Sequence, residues 1–190
     1  MMIQEFREEY ISAIERAVIT PPGNTHLYRL AEECMEMIHA YADDGRAFFR
    51  SGDPVNAHAA YTYGLGWLDA GSALGFFGGR VPMATLPVFN EEISLDLKGH
   101  LEEKTERYCE MLKAASAAVS PVPDAGSPMA AAAGDISVHG ERSLKKGQLW
   151  LSQGAFLNAL AEFSYGYGWL DTGVRAGLFR ITGDRELFTI

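Results

Sequence analysis

The stretch AYTYGLGWLDAGSALGFF (60–77) returns 102 residues later as EFSYGYGWLDTGVRAGLF (162–179). Chance does not produce Gly-x-Gly-Trp-Leu-Asp-x-Gly twice in 190 residues. Self-similarity of this kind ranks ahead of any single-element reading. Extending upstream at the same offset, Gly52, Asn56 and Ala57 fall on Gly154, Asn158 and Ala159. Further back, IQEFREEYISAIERAV (3–18) lies over LEEKTERYCEMLKAAS (101–116) at offset 98, with Tyr10 on Tyr108. The whole chain therefore reads as one unit duplicated, with one small insertion.

Each unit reads as three helices. Ile3, Phe6, Tyr10, Ile14 and Ala17 recur at steps of three and four, the period of an amphipathic helix, and Pro21-Pro22-Gly23 is expected to end it. A second stripe (Leu27, Leu30, Cys34, Met37, Ile38, Tyr41, Phe48) runs from about 25 to 51. Asp53-Pro54 opens the third helix with an N-cap acceptor and a proline at the first helical position; this helix is expected to reach Phe77. The fold expected is all-α, two tandem up-and-down three-helix bundle units packed as a pseudo-dimer. Residues 1–79 form the first unit, 80–95 a linker with two prolines, and 96–190 the second unit. Within the second, AVSPVPDAGSPMAAAAGDIS (118–137) has a composition expected to form a low-complexity loop in place of the first half of the middle helix.

Sixteen basic and 25 acidic residues give a net charge of −9, shared evenly between residues 1–80 and 81–190. Neither half carries the basic stripe that a phosphate backbone requires, so nucleic acid is excluded as a partner. Cys34 and Cys109 have no partner at metal-ligand spacing, and the start MMIQEFREEY lacks the basic charge of an export signal. With no apolar run of membrane-spanning length, the expectation is a cytoplasmic chain with no membrane partner.

The third helix holds Gly64, Gly66, Gly71 and Gly75, and its copy Gly166, Gly168, Gly173 and Gly177. Each interior glycine costs a helix about 1 kcal/mol against alanine, so close packing of another backbone against the face of Gly64, Gly71 and Gly75 is expected to offset it. Tyr63 and Trp67, like Tyr165 and Trp169, lie one helical turn apart beside that face. They read as core aromatics or as a ligand platform. Asp69 and Asp171 point to a different face that the apolar stripe does not explain. Together Tyr63, Trp67, Asp69, Tyr165, Trp169 and Asp171 are the candidate ligand-binding residues. No catalytic residue is assigned: Asp43 and Asp44 diverge around the helix, and their copies are Lys145 and Lys146. That reversal of sign suggests an attraction between the units at those positions. The five histidines show no metal-ligand spacing, and no phosphate, dinucleotide or nucleophile signature occurs; neither metal nor cofactor is expected.

The segment FFRSGDPVNAHAAYTYGLGWLDAGSALGFF and its copy GQLWLSQGAFLNALAEFSYGYGWLDTGVRAGLF resemble an archaeal family known only as domain of unknown function 357. The resemblance covers residues 3–79 well and 101–181 less well, with Ala155 in place of the turn Asp53. It implies small up-and-down three-helix bundles and an archaeal origin, and no activity. Two functions compete: a non-enzymatic helical scaffold or protein-interaction module with a protein partner, or a small-ligand-binding protein using a groove beside Tyr63, Trp67 and their copies. An enclosed pocket holding both an aromatic ring and an aspartate would favour the second. Ligand, partner and oligomeric state are not written in the sequence.

Overall fold

The computed structural model describes residues 1–79 and 82–189; residues 80, 81 and 190, at the edge of the expected linker and at the end of the second unit, lie outside the described residues. Among the described residues six α-helices form the bulk of the fold: α1 (Ile3–Arg16), α2 (His26–Arg50), α3 (Pro54–Ala73), α4 (Lys98–Ala117), α5 (Pro128–Ser152) and α6 (Phe156–Arg175). The fold is all-α, with helices packed on helices.

Helices α3 and α6 are buried on nearly every side and pack extensively against each other. Their sequences lack a polar face, and a helix that is apolar all round belongs in the middle of a core. Helix α2 packs on α3, and α5 on α6, each with an apolar stripe inward. Asp53 caps α3 by accepting from the Asn56 amide at 2.9 Å, ahead of Pro54, as the sequence implies.

Two expectations about where helices end are corrected. Helix α1 stops at Arg16, before the prolines, because Val18–Ile19 (β1) pairs antiparallel with Phe77–Gly78 (β2). Helix α3 accordingly ends at Ala73 and not at Phe77; Gly75, at φ +79°, turns the chain back through the left-handed region, and Gly177 does the same after α6. In the second unit Val119–Pro121 (β3) pairs with Phe179–Ile181 (β4). Each first helix is thus tied to the end of its third helix by a two-stranded ribbon.

The largest correction concerns 118–137. From Pro128 onward this segment is helix α5, of 25 residues like α2, with Ala133 and Ile136 fully buried. Ser127 caps it by accepting from the Ala130 amide at 3.0 Å, Pro128 occupies the first turn, and the alanines that follow have the highest helix propensity of any residue. The middle helix of the second unit is complete.

The connection after α3 is held down. Phe89 is buried, edge-on to Phe6 at 5.1 Å and to His58 at 4.4 Å. The Asn158 side chain reads the Phe89 peptide twice, accepting from its amide at 2.8 Å and donating to its carbonyl at 2.9 Å.

Candidate functional site

Helices α3 and α6 cross at two glycines. A Cβ on Gly66 would stand 2.4 Å from the Tyr165 carbonyl oxygen and 3.0 Å from Gly168 Cα. On Gly168 it would meet the Tyr63 carbonyl oxygen at 2.3 Å and Gly66 Cα at 3.0 Å. Close packing of backbones does explain the glycines, but at Gly66 and Gly168, which lie off the expected face. Gly64 instead makes room for the Tyr10 hydroxyl, and Gly71 for the Phe77 ring brought back by the ribbon.

This close crossing sets the position of the candidate residues. The Tyr63 hydroxyl donates to Asp171 Oδ2, and the Tyr165 hydroxyl donates to Asp69 Oδ2 at 2.8 Å. Each tyrosine of one unit therefore meets the aspartate of the other, which is why the aspartates face away from their own Tyr and Trp. All six residues are buried, the aspartates at 0% and 1% exposure. Trp67 and Trp169 sit beside their own tyrosines with ring centroids 6.5 and 6.2 Å apart, and Trp169 stacks flat on His139 at 3.7 Å. A reciprocal pair of buried, charge-assisted hydrogen bonds ties the two halves with defined geometry.

The two pairs are covered differently. Over Asp69 the connection supplies a backbone donor, the Met83 amide at 3.0 Å. Over Asp171 the segment after α6 supplies Thr189, whose hydroxyl lies 3.2 Å from that of Tyr63. There a cavity of about 170 Å³ remains, lined by Tyr41, Tyr63, Tyr108 and Tyr167 and by residues 186–189. The Tyr41 and Tyr63 centroids are 4.4 Å apart at 63°, and those of Tyr63 and Tyr167 5.9 Å apart at 36°, so the rings form walls and not a stack. The Tyr167 hydroxyl donates to the Leu187 carbonyl. Tyr41, Tyr108 and Tyr167 are not among the sequence-predicted site residues. The signal available was divergence between the copies: Tyr41 falls on Ser143, and Tyr167 on Leu65.

Burial pushes the Asp171 carboxyl up from 3.8 to about 6, against the hydrogen bonds of Tyr63 and Thr189, which favour its charged form. Folded chain holds this proton more tightly than unfolded chain, so the stability linked to it is present below pH 4 and is lost as pH rises through 6. Burial, and next the Asp171 charge, raises Tyr63 well above its ordinary value, so the phenol remains a donor. His58, on α3, has the opposite linkage. Fully buried, with Nε2 3.0 Å from the Leu157 carbonyl of α6, it is pushed by burial down from 6.5 to about 4. Its contribution is present above pH 6.5 and is lost as pH falls toward 4.

Three of the four charges expected to attract across the units find partners nearer by. Asp43 pairs with Arg46 at 3.2 Å, Lys145 with Glu141 at 3.7 Å and Lys146 with Glu162 at 3.7 Å, each within one unit. Among the described residues no group of three or more His, Cys, Asp or Glu could hold a metal ion, and no helix is long and apolar enough to cross a membrane.

The search of curated proteins and the search of solved structures return no match. A family model does match, twice: that of the "Protein of unknown function (DUF357)", over residues 8–77 and again over 107–179, the stretches that contain the reciprocal tyrosines and aspartates. The two matched stretches take up most of the chain, which therefore belongs to the DUF357 family and carries its domain in duplicate.

Proposed function

We propose that this protein is a non-enzymatic helical scaffold, a module that presents two related surfaces to a protein partner. The observation that carries the reading is a repeated apolar tip. At the C-terminal end of α2, Phe48 and Phe49 are 39% and 36% exposed; at the same place on α5, Leu149 is 60% exposed beside half-buried Trp150 and Leu151. Phe48 falls on Trp150 and Phe49 on Leu151 in the repeat, so each copy bears an aromatic ring at one position, a residue class enriched at protein interfaces. The polar groups of the interior support a scaffold as well. Tyr63, Tyr165, Asp69 and Asp171 are engaged with one another in joining α3 to α6.

The setting that fits is an archaeal cytoplasm. The family resemblance supports the host, and two buried thiols support the compartment, Cys34 being pushed by burial up to about 12 and thus unreactive. Cross-linking in the native host, followed by mass spectrometry, tests the function. Wild-type chain should give a reproducible cross-linked protein that the double variant Phe48→Glu, Leu149→Glu loses while keeping its thermal melt. Unchanged cross-links in that variant would refute the reading.

A second reading, small-ligand binding, is favoured by one specific observation: four tyrosine rings line one cavity, and one of them, Tyr63, hydrogen-bonds the buried Asp171 carboxylate.

A further inference from the structure

We propose that the four-tyrosine cavity between α2, α3, α4 and α6 binds a small organic cation of the quaternary or alkylated ammonium class. The four rings are those of Tyr41, Tyr63, Tyr108 and Tyr167, one from each helix. Aromatic faces carry negative quadrupole potential, and a cation enclosed by several of them is attracted without needing hydrogen bonds. Rings inclined to one another, as Tyr41, Tyr63 and Tyr167 are, can each turn surface toward one central guest.

The carboxylates give the sign. Asp171, 1% exposed, accepts from Tyr63 through Oδ2 and is also held by Thr189, so its carboxylate lies directly behind the Tyr63 ring. Glu186 stands exposed at the rim, and among the described residues no Lys, Arg or His lines the cavity. The nearest cationic influences are on Tyr108: Lys104 Nζ lies 5.3 Å from its ring centroid and the Arg107 charge acts on it, while Asp44 and Asp171 act on Tyr41. The free volume of about 170 Å³ sets the size. A cavity of roughly 150 Å³ admits a benzene-sized guest, which matches a tetraalkylated nitrogen head and is too small for a peptide.

The duplication shows that this box is specific to one side. At the pseudo-equivalent place the rings of Tyr41 and Tyr167 are replaced by Ser143 and Leu65. The hydroxyl of Tyr10, the counterpart of Tyr108, donates to the Ile38 carbonyl at 2.9 Å. There the Asp69 oxygen that receives Tyr165 also receives the Met83 amide. The Met83 amide covers one Tyr–Asp pair; Thr189 and the four rings lie over the other.

The test titrates the whole chain with tetramethylammonium and, separately, with tert-butyl alcohol, its uncharged near-isostere, following tyrosine ring resonances by NMR and heat by calorimetry. Saturable binding of the cation with shifts confined to the four tyrosines, and no saturation by the alcohol, is expected. Tyr41→Ser, which installs the residue of the other copy, should weaken binding on the order of tenfold, whereas Tyr41→Phe, which keeps the ring, should stay within about twofold. Asp171→Asn should also weaken it on the order of tenfold by removing the charge and keeping the shape. No saturable cation binding, equal binding of the alcohol, or full affinity in a folded Tyr41→Ser variant would each overturn the proposal. The wild-type comparison of cation with alcohol stands even where a variant fails to fold.

Discussion

Gly66→Ala is expected to destabilise the chain, although alanine is the better helix former. The new Cβ would lie 2.4 Å from the Tyr165 carbonyl oxygen, about 1 Å short of ordinary van der Waals contact, and the obstructing atoms are backbone that no rotamer change can clear. Helices α3 and α6 must therefore separate by on the order of 1 Å. A gap of that size forfeits about a quarter to a half of the dispersion energy of the facing atoms, and overpacking of a filled core costs typically about 1–3 kcal/mol. The reciprocal Tyr–Asp hydrogen bonds span the same crossing, and each is of the charge-assisted kind that contributes about 1.5–3 kcal/mol. Against this stands the propensity gain of about 1 kcal/mol. The net expectation is a loss of about 2–3 kcal/mol, or about 4–12 °C in Tm for a chain of this size. Urea melts of Gly66→Ala measure it, with Gly134→Ala as the internal reference. Gly134 is exposed on α5 with nothing within 4 Å of its would-be Cβ, so there alanine should stabilise by up to about 1 kcal/mol. Equal or greater stability of Gly66→Ala than wild type would refute the backbone crossing, and with it the geometry that aligns the Tyr–Asp pairs.

Ala133→Asp places a charge at a fully buried position of α5 and should cost at least about 3 kcal/mol in denaturant melts; a neutral result would return 128–137 to a loop. Asn158→Ala removes both side-chain bonds to the Phe89 peptide, at a cost of about 2 kcal/mol, and limited proteolysis should then cut the segment 82–94 first. Asp171→Asn removes a titration displaced from 3.8 to about 6, so its stability relative to wild type should rise by about 2–3 kcal/mol between pH 4 and pH 7. His58→Leu, which installs the residue of the other copy, removes a titration displaced from 6.5 to about 4, so its relative stability should instead rise by about 3 kcal/mol as pH falls from 7 to 4; pH-independent differences in either variant would contradict the buried ionisations.

The helices were legible because they rest on local rules: a 3.6-residue period, Asp53-Pro54 at the head of α3, and a repeat that reports each element twice. Their ends were not. Val18–Ile19 and Phe77–Gly78 are too short to have a period of their own, and only their pairing with each other makes them strands. The start of α5 was legible and misread. Ser127-Pro128 followed by alanines is a capped helix start, and low-complexity composition masks it because alanine, which buries little surface, is also the residue that helices favour most. Of the site, the sequence marks Asp69 and Asp171 as residues without an explanation on their own helix, and Tyr63 and Tyr165 as core aromatics or a ligand platform. It cannot say that the explanation is the other helix, because a wheel gives the direction of a side chain and not what stands there. Trp67 and Trp169 share the motif, but burial places them in the core.

What the two copies share and where they part have different physical causes. Shared positions (Gly66 with Gly168, Tyr63 with Tyr165, Asp69 with Asp171) all lie at the crossing of α3 and α6, where each residue is answered by the equivalent residues of the other copy. In a two-fold contact a change on one side meets an unchanged partner, so these positions are constrained in pairs. Positions away from the axis have no such tie. His58 against Leu160, Tyr41 against Ser143 and Tyr167 against Leu65 could each change in one copy alone; Tyr41 lies on α2 beside the crossing, and His58 and Tyr167 lie on α3 and α6 themselves. Two of them, Tyr41 and Tyr167, wall the same cavity, with Tyr63 between them. Divergence that falls at unrelated places costs nothing and assembles nothing. Here two separate substitutions, from two different helices of two different units, converge on one ring-lined space beside one of two otherwise equivalent aspartates, which is why that space, and not the symmetric interior, is where a ligand should be sought.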